Sequence, residues 1–207
     1  MSAPEAKSLY TIEEYLAMER ASEVKHEYLD GKIIGFDGDL PNKGKICVNL
    51  IGEIGCKLEN SRFEMFAKHT RVYSGSAPNP IWLPKGLFSY PDVVIVCGDA
   101  KYHDQYRDVL LNPKVIIEVL SEGTAEFDYS EKFRRYREWL PSLEDYILVS
   151  SLEILIEHFR KQPNGDWLLT TIKNLDALLK LESVGCEVRL SDVYARVSFE
   201  PNDPEMA

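Results

Sequence analysis

Apolar positions fall along this chain in two rhythms. YPDVVIV at 90–96 and KVIIEVL at 114–120 are continuously apolar and rich in β-branched residues, the pattern of central strands covered on both faces. Elsewhere the spacing approaches the helical period. Ile46, Leu50, Ile51, Ile54 and Leu58 mark a helix around Lys45 to Leu58, and YTIEEYLAMER opens a short helix with Thr11 three residues before Glu14, a capping box. HEYLDGKIIGF reads as a hairpin about Asp30-Gly31, and a second hairpin turns at Pro163-Asn164-Gly165 between 153–160 and 166–173. RFEMFAK, TRVYSG, LEDYILVS and VGCEVRL are extended, SAPNPIWLPKG is a Pro-rich loop, and GDAKYHDQYRD is a charged surface loop. EFDYSEKFRRYREWL is a helix with Asp128 as N-cap, Glu131 at N3, and Tyr129, Phe133, Tyr136 and Leu140 on one face. Helices and strands alternate without repeats, so the class is α/β or α+β.

Length and composition narrow this further. The 207 residues, 44% hydrophobic and 28% charged, suffice for one well-filled core. A flexible N-terminus (1–9), a single domain (10–195) and a disordered tail (196–207) are expected. No apolar run is long enough to span a bilayer and MSAPEAKSLY lacks a signal-peptide core, so the expectation is a cytoplasmic protein without membrane partners. Cys47, Cys56, Cys97 and Cys186 are far apart among apolar neighbours, which argues against a zinc knuckle or a disulfide framework. A net charge of −10 repels a polyanion unless cations are gathered locally.

The informative anomaly is Glu118, alone inside NPKVIIEVLS. An ionised carboxylate buried without a partner costs several kcal/mol, so it must find a cation, find donors or give up its charge. Asp92 follows Pro91 at the entry to the preceding buried strand, and Lys132 lies in the first turn of the following helix. If the strands are neighbours, Asp92 and Glu118 converge and the helix carries Lys132 over them. Two close carboxylates repel unless a divalent cation sits between them, and Mg²⁺ accepts two carboxylates while keeping several waters. Such an ion polarises a phosphoryl oxygen while the lysine acts on the phosphate or the water, so the chemistry is phosphodiester hydrolysis.

At these residues the chain resembles the PD-(D/E)XK nucleases, although the position where they carry Lys, two after the acid, is Leu120 here. TIEEYL, HEYLDGKI, YPDVVIV, NPKVIIEVLS, DYSEKFRRYR and PSLEDYILV, in that order, resemble the Uma-two-like family of restriction endonucleases across most of 10–195. The resemblance implies a restriction-endonuclease-like mixed central β-sheet flanked by helices, here with an added C-terminal β-hairpin region. It also implies a lysine migrated to the next helix, matched by Lys132, and Glu27 of HEYLDG as an upstream acidic member of the site. The expected site is therefore Asp92, Glu118, Lys132 and Glu27, with Asp92 and Glu118 holding Mg²⁺ (or Mn²⁺), DNA as substrate, and a homodimer, to which aromatics of SAPNPIWLPKGLF could contribute.

Plainer roles compete for each residue. Asp92 could bond backbone amides, Glu118 could pair with Arg134 or Arg135, Lys132 could be a surface lysine, Glu27 could face Lys32 across the hairpin, and Tyr136 could simply pack. Where the family has a polar, often His-containing helix start, this chain has PNKGKICVN; Lys43 and Lys45 receive no catalytic role, though they could touch phosphates as point charges. None of the four histidines forms HExxH, and neither a nucleophile elbow nor a phosphate-binding glycine loop occurs. The alternative to a nuclease is a catalytically inactive, oligomeric binding or regulatory module on the same fold, in which Lys132 would point away from the carboxylates.

Overall fold

The computed structural model describes residues 9–35, 41–76 and 85–199. Most of the Pro-rich loop, the extreme N-terminus and residues 200–207 of the tail lie outside them. Helix α1 (Ile12–Ala21) starts with the capping box: the Glu14 N–H donates to Thr11 Oγ1 at 3.2 Å and the Thr11 N–H to Glu14 Oε2 at 2.9 Å. Strands β1 (His26–Leu29) and β2 (Lys32–Gly35) form the first hairpin. Its turn needs two left-handed residues, supplied by Asp30 (φ 48°) and Gly31 (φ 92°). Helix α2 (Pro41–Leu58) begins four residues before Lys45, with Pro41 at its first position, and its Lys43 turns inward toward Asp92.

Strands β3 (Phe63–Ala67) and β4 (Arg71–Gly75) follow, then β5 (Gly86–Ser89), β6 (Val93–Cys97), β7 (Val109–Leu110) and β8 (Pro113–Leu120). The chain ends with β9 (Asp145–Ser150), the hairpin β10 (Ile156–Lys161) and β11 (Trp167–Ile172), then β12 (Leu178–Leu181), β13 (Cys186–Arg189) and a last turn, α5 (Leu190–Val193). One sheet has the order β2-β1-β5-β4-β7; the larger runs β11-β10-β9-β8-β6-β3 and is mixed, since β8 and β9 are parallel and its other pairs antiparallel. The fold is mixed α and β, with helices flanking the central strands.

The two runs read as central strands, β6 and β8, are neighbours, and alternate side chains enter two cores. Val93, Ile95, Val115 and Ile117 pack under α2 and the β12–β13 hairpin; Val94, Ile116 and Leu120 pack under Phe133, Tyr136 and the second sheet. Each such fully buried side chain contributes roughly 1.5–3 kcal/mol. Among the described residues no helix is long and apolar enough to cross a membrane.

Some local expectations fail for stated reasons. GLF of the loop segment is strand β5 and Phe88 is fully buried against Tyr15, Tyr28 and Tyr73; Trp82, the other aromatic of that segment, lies outside the described residues. The Asp128 helix begins earlier, at α3 (Ala125–Phe127), passes through a π-helical turn (Asp128–Lys132) and continues as α4 (Phe133–Trp139). Asp128 is therefore helical (φ −66°, ψ −41°) and not an N-cap. The wider turn also rotates Tyr129 off the apolar face, where its hydroxyl meets Glu157.

Candidate active site

The β6–β8 register pairs Val93 with Ile117, so Asp92, one residue before β6, and Glu118, one residue on along β8, lie at the same end of that pairing. Asp92 Oδ2 accepts the Val119 N–H at 2.7 Å, which fastens the loop before β6 to the neighbouring strand beside Glu118. Strand β1 of the other sheet brings Glu27, whose Oε1 accepts the Tyr90 N–H at 3.1 Å. Over these acids the π-helical turn carries Asp128 and Lys132. The Lys132 Nζ lies 3.1 Å from Glu27 Oε1, 3.4 Å from Glu118 Oε1 and 2.9 Å from Asp128 Oδ1. All four expected site residues are buried, at 5% exposure or less.

Their surroundings explain their charges. Burial pushes the Glu118 carboxyl well above the ordinary glutamate range; Lys132 opposes this, while Asp128, Asp92 and Glu27 add to it. For Lys132, burial alone would favour loss of the proton, but Glu118, Glu27 and Asp128 outweigh it and hold the amine well above the usual lysine value. Burial raises the Tyr136 hydroxyl too, with Glu118 next in effect; that hydroxyl lies 2.5 Å from Ser89 Oγ and 3.5 Å from Glu118 Oε1. On the α2 side, Lys43 Nζ is 3.3 Å and Lys68 Nζ 3.5 Å from Asp92, and burial raises the adjacent Cys47 thiol to about 12.

The plainer readings of Glu118, Glu27 and Lys132 are not the ones formed. Arg135 binds Asp30 and Glu131, and Arg134 binds Glu131 and Glu138, so neither takes Glu118. Glu27 stands opposite Ile34, whereas Lys32 stands opposite Leu29. Lys132 is buried and turned toward the carboxylates, the reverse of what the non-catalytic alternative expects. Asp92 does bond a backbone amide and keeps its ionic neighbours as well.

Glu27, Glu118, Asp128, Lys43, Lys132 and Tyr90 share the wall of one cavity of about 320 Å³. Its carboxylate oxygens are hard donors suited to Mg²⁺-like cations. Asp128 Oδ1 is buried with no hydrogen-bond partner, its neighbour being the Lys132 charge. Among the described residues no three His, Cys, Asp or Glu side chains close into a metal cage.

A family model described as "Uma2: Putative restriction endonuclease" matches residues 12–191. The chain belongs to the Uma2 family. This Uma2 chain is 29% identical over 169 residues to "Uncharacterized protein sll1609" of a Synechocystis strain, covering 82% of this chain and 90% of the relative. It is 30% identical over 187 residues to "Uncharacterized protein slr1290" of the same organism, covering 90% and 92%. Its fold resembles a crystal structure titled as a "putative nuclease belonging to DUF820" from Anabaena variabilis, with a TM-score of 0.70, 18% identity, and coverage of 89% of this chain and 97% of that one.

Two members of the constellation escaped sequence reasoning. Asp128 looked like a cap because Asp commonly starts helices; its i,i+4 spacing to Lys132 was the available signal. Lys43 received no catalytic role, only a possible phosphate contact, and the hint to its place was a basic residue in a helix's first turn that holds no acid.

Proposed function

We propose that this Uma2 protein is a metal-dependent endonuclease that hydrolyses phosphodiester bonds of DNA, with Asp92 and Glu118 holding Mg²⁺ (or Mn²⁺), Lys132 acting on the phosphate or the water, and Glu27 supporting the site. The observation that carries this reading is the Lys132 ammonium seated among Glu27, Glu118 and Asp128, with Asp92, just before β6, bonded to the Val119 N–H next to Glu118. Family membership and the nuclease-like fold support it. When bound, the divalent ion supplies Lewis acidity to a phosphoryl oxygen.

The protein side chains supply the rest. Held above its ordinary value, Lys132 stays protonated and works as a donor, stabilising negative charge or orienting a water rather than removing a proton. Glu27, itself fixed by the Tyr90 N–H, anchors that amine from the second sheet. The low exposure of these groups strengthens their interactions with a reacting phosphate.

The test is cleavage of supercoiled plasmid by the full chain with Mg²⁺ or Mn²⁺. Wild type nicks or linearises it, and Glu118→Ala, Asp92→Asn and Lys132→Met do not. No cutting by pure wild type with either metal overturns the proposal.

A further inference from the structure

We infer that Lys43 is the phosphate-binding residue of the site, gripping the backbone of a nucleic-acid substrate while Lys132 stays with the carboxylates. This rests on the nuclease reading and divides a task which that reading leaves shared.

Among the described residues on the cavity wall, Lys43 and Lys132 are the cations. Three carboxylates surround the Lys132 ammonium within 3.4 Å, and it donates a hydrogen bond to that of Glu118. It is committed. Lys43 faces Asp92 at 3.3 Å, and the same Asp92 oxygen already accepts the Val119 N–H at 2.7 Å. Its position is also unusual. Lys43 is the third residue of an 18-residue helix with no acid in its first turn, so the positive end of the helix opposes the ammonium rather than stabilising it. Yet the side chain is buried, at 7% exposure, while Lys45 two residues on is exposed. A buried cation on the cavity wall whose partner, Asp92 Oδ2, is already shared with the Val119 N–H is placed to take an anion brought from outside. In a chain of net charge −10, a local cation of this kind favours the approach of a phosphate.

The experiment measures binding without chemistry: a fluorescein-labelled DNA duplex, Ca²⁺ in place of Mg²⁺, and anisotropy at several salt concentrations. Lys43→Gln is expected to weaken binding roughly tenfold near 0.1 M salt and to lower the salt slope by about one, the signature of one lost phosphate contact. Lys45→Gln leaves both unchanged. A second measurement uses wild type alone: the duplex slows acylation of Lys43 by an amine-reactive ester, read by mass spectrometry, and does not slow that of Lys45. If wild type does not bind the duplex, the nuclease reading falls and this inference with it. If wild type binds, but Lys43→Gln matches it in affinity and slope, or Lys43 is not protected, this inference alone falls.

Discussion

Asp128 and Lys132 occupy one π-helical turn, both buried, with carboxylate and ammonium 2.9 Å apart. The turn is wider than an α-helical one, and the Tyr146 hydroxyl donates to the Asp128 carbonyl at 2.9 Å. The closest of the three carboxylates to the lysine is thus the one supplied by its own helix.

Asp128→Asn should therefore displace the amine without emptying the site. Cleavage kcat is expected to fall about 10²-fold, the scale of a misplaced catalytic group, with KM little changed. Single-turnover kinetics on a defined duplex check this, and an unchanged kcat contradicts it.

Glu118 leads to a pH-dependent stability prediction. Its folded pKa is raised, so its contribution is fully present below the ordinary glutamate value of about 4.3 and is lost as pH rises toward the folded value. Glu118→Gln never ionises, and Lys132 keeps Glu27 and Asp128. In EDTA the variant should melt a few degrees above wild type at pH 7–8, where about 1 kcal/mol corresponds to about 2–4 °C, and the curves should meet near pH 4. Differential scanning calorimetry across that range decides the matter; a variant less stable at pH 8 than at pH 4, relative to wild type, has the wrong sign.

Asp108 should behave in the opposite way. Arg20 donates two hydrogen bonds to it at 2.9 Å and Arg71 a third, and the Arg20 bonds hold its carboxyl below the usual range. Its contribution is present above the unfolded value of about 3.9 and is lost as pH falls through the lowered folded value. Asp108→Asn leaves the buried Arg71 guanidinium without its carboxylate and should cost about 3 kcal/mol at pH 7 and much less near pH 3. Urea unfolding at both pH values measures the difference.

Tyr136→Phe removes a fully buried hydroxyl from between Ser89 and Glu118. Stranding those polar groups should cost about 1–3 kcal/mol. The denaturation midpoint should drop while the slope of the unfolding transition stays the same; an unshifted midpoint would show that the hydroxyl contributes nothing.

The strands, hairpins and helix faces were legible because their causes are local. The capping box of Thr11 and Glu14, the Asp30-Gly31 turn and the β-branched runs of β6 and β8 each act over a few residues, so their pattern survives whatever packs around them. Strand β5 was hidden because its four residues adjoin a Pro-rich segment and carry too short a pattern to read as a strand.

Within the site, the adjacency of the strands that lead from Asp92 and carry Glu118 was readable, since two buried strands in sequence are commonly neighbours. The partners of Lys132 and Lys43 were not. Glu27 reaches Lys132 from 105 residues away in the chain, on a different sheet, and Lys43 meets Asp92 only because α2 docks across β6 and β8. The chain's own pattern shows that a charge is buried at Glu118, because desolvation follows from the apolar residues on either side of it. Which ammonium answers that charge is a matter of where helices and sheets come to rest, since Coulomb attraction depends on distance in space and leaves no period along the chain.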